Sequence, residues 1–193
     1  MFKPTQIIVH CSDSAWGDAK AIDEWHKARG WDGIGYHMVI NNGHPRIGVG
    51  SDSDGYLEFG RPLSIQGAHC KGQNHNSIGI CLIGTNTFTD KQMDTLKFEC
   101  ESLCNQYGMD KDVDIHGHNE YSTKTCPNFD VSEWVQGWNK LKGGLDDFVE
   151  QTPNLYDRMQ ALEERVDSIE VDMGRHRGVC KDILDALDAH LED

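Results

Sequence analysis

No stretch of this chain approaches the roughly 20 apolar residues that cross a bilayer, so a membrane span is not its organising feature. An apolar signal core is missing as well. Met1-Phe2-Lys3-Pro4 leads straight into a strand-like pattern, and the expectation is a protein without a signal peptide, folded in a cytoplasm. Seven cysteines, an odd number with no secretory signal, argue against a disulfide framework. Basic residues are scarce: 18 Lys and Arg stand against 32 Asp and Glu, for a net charge of -14. That balance speaks against a nucleic-acid binder, which needs a basic stripe. It also deprives the chain of long-range attraction to anionic surfaces.

What is present suffices for one ordinary domain and an appendage, since 193 residues with 37% hydrophobic content can bury a sizeable core. Residues 7–11 read as a short buried strand and 19–29 as a helix with Ile22 and Trp25 inward. Residues 36–40 read as a strand, and Asn41-Asn42-Gly43 after it is a hairpin-type turn signal. The run 78–83 is nearly all apolar, as a central strand is. Thr89 with Gln92 forms a capping box that opens the longest helix of this part, whose inner face carries Met93, Leu96, Cys100, Leu103 and Tyr107. Residues 113–117 read as another strand, which places His116 and His118 on one side. Asp130 with Glu133 caps a last helix bearing Trp134 and Trp138. The fold class expected is α/β, a single mixed central sheet flanked by helices. Cys11, Cys81, Cys100 and Cys104 sit in apolar patterns and read as small buried hydrophobes rather than as a metal site.

The remainder differs in kind. Residues 1–141 form the expected catalytic domain, 142–152 a linker hinged at Gly143-Gly144, and 153–193 a helical tail. In the tail, Leu155, Met159, Leu162, Val166, Ile169, Met173, His176, Cys180, Ile183, Leu187 and His190 alternate by fours and threes, a heptad seam. Arg158 with Glu163, Arg165 with Glu170 and Asp172 with Arg177 fit pairing across chains of a parallel coiled coil. Gly174 and Gly178 weaken the seam by roughly 1 kcal/mol each and mark a possible bend into a helical hairpin. The expectation is a homo-oligomer through residues 153–191, with an amphipathic helix folded back on the first domain as the alternative. Charge is uneven too: residues 145–193 hold 14 acidic and 5 basic side chains, against 18 and 13 in residues 1–144.

Read by residue type, His10, His118 and Cys126 offer imidazole and thiolate ligands of the kind zinc takes, with a fourth position left for water. By itself His10 reads better as a strand-end histidine bonded within the core, and strand periodicity does not choose between His116 and His118. Four ordered segments decide the reading: Ile7-Ile8-Val9-His10-Cys11-Ser12; Gly35-Tyr36-His37-Met38-Val39-Ile40; Gly67-Ala68-His69-Cys70-Lys71-Gly72 with Asn74-His75-Asn76-Ser77-Ile78-Gly79-Ile80; and Gly117-His118 through Lys124-Thr125-Cys126-Pro127. Together they resemble the zinc-dependent N-acetylmuramoyl-L-alanine amidases, in particular phage lysozymes of the T7 type, which are related to peptidoglycan recognition proteins. The resemblance spans residues 5–141.

It implies one Zn2+ per chain on His10, His118 and Cys126, with Tyr36 and Lys124 as catalytic groups. The reaction implied is hydrolysis of the amide between N-acetylmuramic acid and L-alanine. Lys124 would meet the charge developing on the scissile carbonyl, and Tyr36 would hydrogen-bond the attacking water or pass a proton to the leaving amine. His69 is the expected substrate contact on the groove. Asn76 is a second, or else fixes its loop through backbone bonds. Glu120 is a candidate to orient a ligand imidazole, and His37 reads as structural. Residues 42–54 exceed the short hairpin the family pattern has there. As an endolysin the protein would act on the wall from the host cytoplasm once the membrane is permeabilised. The rivals are a non-catalytic peptidoglycan receptor, in which the cysteine ligand is lost, and a regulator of a phage RNA polymerase.

Overall fold

Ile7, Ile8 and Val9 in one run and Ile78, Ile80 and Leu82 in another leave no polar face, so both strands require cover on two sides. In the computed structural model, which describes residues 2–140, they become β1 (Gln6–Cys11) and β4 (Ser77–Leu82), parallel neighbours buried at every position. β2 (Met38–Ile40) joins β4 in parallel, β3 (Leu57–Phe59) pairs antiparallel with β2, and β5 (Ile115–Gly117) lies parallel on the far side of β1. The order β3-β2-β4-β1-β5 is the single mixed sheet the sequence implies.

Alternation along the strands assigns each face. Ile7, Val9, Ile40, Ile80 and Leu82 meet Leu96, Cys100 and Leu103 of α2 (Asp90–Tyr107) and Val131, Val135 and Trp138 of α3 (Val131–Lys140). On the other face Val39, Cys81 and Ile83 pack against Ile22 of α1 (Ala19–Ala28), with Trp25, Ile34 and Tyr36 alongside. Cys100 and Cys104 are core packing. One residue beyond Val9, His10 falls on the α1 face, level with Cys81 across the pairing.

The helix starts carry their polar caps. Asp18 accepts from the Ala21 N–H at 2.6 Å, and Asp130 from that of Glu133 at 2.8 Å. Thr89 and Gln92 form the reciprocal capping box, and α2 ends on Gly108 in the left-handed conformation at φ 69. Gln92 does more than cap. Fully buried, it donates through Nε2 to the carbonyls of Ile40 (3.1 Å) and Ile83 (2.9 Å), fastening α2 to the ends of two adjacent strands.

Three boundaries differ from expectation. β2 starts at Met38, because the Gly35 carbonyl takes the Ala68 N–H and that of Tyr36 takes the Arg61 N–H, committing both residues to loop contacts. β5 starts at Ile115, because Asp110 and Asp114 draw the backbone N–H groups of residues 110, 112 and 114 into a turn. Residues 41–56 replace a tight hairpin between β2 and β3, held by Ser51 N–H to the Gly43 carbonyl and Thr89 Oγ1 to Asp54. The linker and the heptad tail lie outside the described residues.

Gln92→Ala leaves the buried Ile83 carbonyl and the Thr89 N–H without these partners, and takes one of two donors from the Ile40 carbonyl, which keeps the Ile83 N–H. The expected outcome is a loss on the order of 2–4 kcal/mol in urea unfolding with an unchanged m-value. A loss below about 0.5 kcal/mol would show that the bridge carries nothing.

Candidate metal centre and cleft

β1 ends by delivering His10 into the sheet interior, 1% exposed. β5 ends at Gly117, where the chain tightens into a 3-10 turn, His118–Glu120. The Glu120 carboxylate makes that turn: one oxygen accepts the Gly117 N–H at 2.7 Å and the other pairs with His116 Nδ1 at 2.8 Å. A side chain at Gly117 would collide with Asn119. Strand alternation therefore stops before His118, which corrects the expectation that His116 and His118 share a side. His116 turns to Glu120 and the Tyr121 ring, whereas the His118 ring lies 4.5 Å from that of His10. Glu120 likewise orients His116, not an imidazole of the cluster.

Cys126 arrives on the following loop. Its carbonyl accepts the Asn119 N–H at 2.7 Å, and its sulfur receives the Cys11 N–H at 3.2 Å. Ligand atoms of His10, His118 and Cys126 all lie within 4.8 Å of one another, the one such cluster of three or more among the described residues. His10 Nδ1 is 3.9 Å from Cys126 Sγ. A shared tetrahedral zinc with its ordinary N and S bond lengths sets that separation at about 3.5 Å. Two imidazoles and a thiol at this spacing fit the ion.

The electrostatics favour ligand forms of the histidines. Burial holds His10 well below the ordinary imidazole value, with His69, His118 and Lys124 adding to it. Burial and then Lys124 lower His118. Both rings are therefore neutral near pH 7, with a lone pair to offer. The thiols of Cys11 and Cys126 share a hydrogen bond that draws one proton off more easily, to about 7 at Cys11, and pushes Cys126 up, with burial pushing the same way. The Cys11 N–H aimed at Cys126 Sγ favours negative charge on that sulfur. Burial raises Tyr36 well above 10.0, so its phenol keeps its proton.

The cluster opens into a cavity of about 560 Å³ that includes Tyr36, Lys124 and Trp31 in its walls. A second cavity of about 680 Å³ shares Trp31, Ala68, His69, His118 and Lys124 with it, so the two are halves of one cleft. Tyr36 lies against His10, ring centroids 5.0 Å apart, and Lys124 is exposed on the rim. His69 lines the cleft, yet both its ring nitrogens are engaged within the protein. Asn76 is not on the wall of either half. Its side chain meets Gln6 and Thr5, tying the chain start to the loop before β4. His37 is structural as expected, accepting the Gly79 N–H and donating to the Ile65 carbonyl.

Sequence reasoning missed three features. Asn74 holds its loop by accepting the N–H groups of His69 and Cys70, each at 2.8 Å. Trp31, 45% exposed, gives both halves an aromatic rim. Arg29, Arg61, Lys71 and Lys124 outnumber Asp13 and Asp32 on the walls, a local excess of positive charge in an acidic chain. A tryptophan after the Gly30 helix stop was the legible sign of the second; the third needs the fold.

Residues 2–129 match the sequence pattern of the N-acetylmuramoyl-L-alanine amidase family. The chain is 34% identical over 145 residues to the endolysin of Escherichia phage T7, covering 69% of this chain and 85% of that one. The solved N-acetylmuramoyl-L-alanine amidase LysC from Clostridium intestinale superposes with a TM-score of 0.61 at 29% identity, over 72% of this chain and 87% of LysC. Drosophila PGRP-LB shares the fold, with a TM-score of 0.56 at 22% identity, over 72% of this chain and 82% of its own.

His10, His26, His37, His69 and His118 are all held below 6.5 in the folded protein, burial being the first cause at each. The unfolded chain binds more protons than the native one once pH falls through the ordinary imidazole range. Stability of the metal-free protein is therefore full above that range and declines as pH falls below it, His69 continuing to contribute until pH passes its folded value of about 3. Calorimetry across this window should show a falling Tm; a flat or rising one contradicts the assignment.

Proposed function

The chain belongs to the N-acetylmuramoyl-L-alanine amidase family, and on that premise we propose that it hydrolyses peptidoglycan as a phage-type endolysin with one zinc ion held by His10, His118 and Cys126. The bond broken is the amide between N-acetylmuramic acid and L-alanine. The observation that carries the proposal is the convergence of three ligand atoms, within 4.8 Å of one another, with His118 and Cys126 on the wall of a cleft and His10 buried behind them. Zinc bound there would supply Lewis acidity toward the scissile carbonyl and a water acidified toward neutrality.

The protein's own groups do the rest. Lys124, on the rim common to both halves of the cleft, places its ammonium where negative charge develops on the carbonyl oxygen. Tyr36 keeps its proton and so acts as a donor, to that oxygen or to the alanine nitrogen as the C–N bond breaks. Water oxygen ends on the carbonyl carbon and a water proton on the released amine. The cationic walls suit the carboxylates of a peptide stem, and Trp31 offers an apolar rim to a sugar or peptide face.

No helix of the described residues is long and apolar enough to cross a membrane. Access to the wall would follow permeabilisation of the membrane by another agent. The heptad spacing of residues 153–191 supports a multimer, in which several catalytic domains would gain avidity on a polymeric wall.

Cys126→Ser is expected to lose zinc in a metal assay and to abolish lysis of purified walls in a turbidity assay; retained lysis would refute the ligand set. Lys124→Ala should keep its zinc while turnover drops about 10²–10³-fold. Light scattering should give the full chain the mass of an oligomer and residues 1–142 that of a monomer. Monomers in both remove the multimer.

A further inference from the structure

His69 ends a short series of hydrogen bonds whose direction is set by a backbone carbonyl. Its Nε2 faces the carbonyl oxygen of Ser77 at 3.4 Å and the Ser77 hydroxyl oxygen at 3.3 Å. The carbonyl can only accept, and the hydroxyl spends its own proton on the Gln73 carbonyl at 2.7 Å. The hydrogen of neutral His69 therefore sits on Nε2, and Nδ1 is left as an acceptor. That Nδ1 lies 2.9 Å from His10 Nε2, which must in turn carry its hydrogen. The lone pair of His10 is thereby placed on Nδ1, the atom 3.9 Å from Cys126 Sγ.

The ring is seated in a slot made for it. A Cβ on Gly79 would come within 2.5 Å of His69 Cγ, and one on Gly67 within 2.5 Å of His69 Cδ2. Neither glycine has a left-handed φ, so the ring, not the backbone, requires them. Gly79 lies inside a central strand, where a missing side chain forfeits packing. Asn74 Oδ1 clamps the backbone of the same residue from behind, at 2.8 Å.

We propose that His69 is a positioning residue for the metal centre: taking its tautomer from the Ser77 carbonyl, it fixes the tautomer and ring plane of His10, so that Nδ1 is presented to the ion. The inference rests on the zinc reading above. It reassigns His69 from contact with substrate to support of a ligand, and it makes Ser77, Gly67, Gly79 and Asn74 parts of that support. Partners of this kind on a ligating histidine typically raise metal affinity about 10–100-fold.

The test uses the full chain and two variants of similar bulk. His69→Asn keeps an acceptor near the position of Nδ1, whereas His69→Leu removes it. Zinc affinity is measured by competition with a chromophoric chelator, and the ligand field by the visible bands of the cobalt-substituted protein. His69→Leu, or His69→Ala where the leucine chain does not fold, should bind zinc about 10–100-fold more weakly with shifted cobalt bands. His69→Asn should stay within about threefold of wild type, retaining most of that gain. Equal affinity in His69→Leu and wild type overturns the proposal, as does an asparagine variant as weak as the leucine one. A wild-type chain that fails to take up zinc at all instead overturns the reading on which the inference rests.

Discussion

The parallel seating of β1 between β4 and β5 is the constraint on which everything functional depends. Its register sets His10 opposite Cys81 and Ile8 opposite Gly79, and it brings the end of β5 alongside. A slip of one residue would turn His10 to the face packed by α2 and α3, among Leu96, Cys100 and Val135, and send Val9 into the cleft. Such a slip would bury an imidazole among aliphatic groups and expose an apolar side chain, so it is opposed from both sides. The core that fixes the register and the site that uses it are two faces of one sheet.

Those faces are unlike. One is sealed by two helices over a continuous layer of Ile, Leu and Val. The other receives only α1, and Gly79 keeps a hollow beside it that the His69 ring fills. Polar groups gather where packing is thinnest, and nearly all are satisfied in pairs: His37 with Gly79, His26 with the Gly35 N–H, His69 with His10. Burial of so many neutral imidazoles carries a cost that appears only when protons are abundant.

Much of this was legible in the chain itself. Unbroken apolar runs gave the central strands, because strands covered on both sides need no alternation, and Thr89 with Gln92 announced α2 through a side-chain bond that is local. His10, His118 and Cys126 could be named from motif resemblance and are brought together in space. Periodicity failed at His118 because a carboxylate two residues on, Glu120, ends the strand one residue earlier. Neither reading of Asn76, substrate contact or loop clamp, matches its place, since Asn74 fixes the loop; two asparagines two positions apart look alike until the backbone shows which faces the open N–H groups. The cationic lining of the cleft was hidden by a net charge of -14, since a sum over the chain carries no positions.

The separation of the cluster along the chain has a thermodynamic corollary. His10 and Cys126 stand 116 positions apart, so an unfolded chain would gather both only by closing a very long loop. Affinity for a cation at that point accrues almost wholly to the native state, and by mass action it deepens the native well in proportion to the logarithm of free ion. An occupied centre would then be a clasp, joining the first strand to the last loop of the domain across its whole sequence.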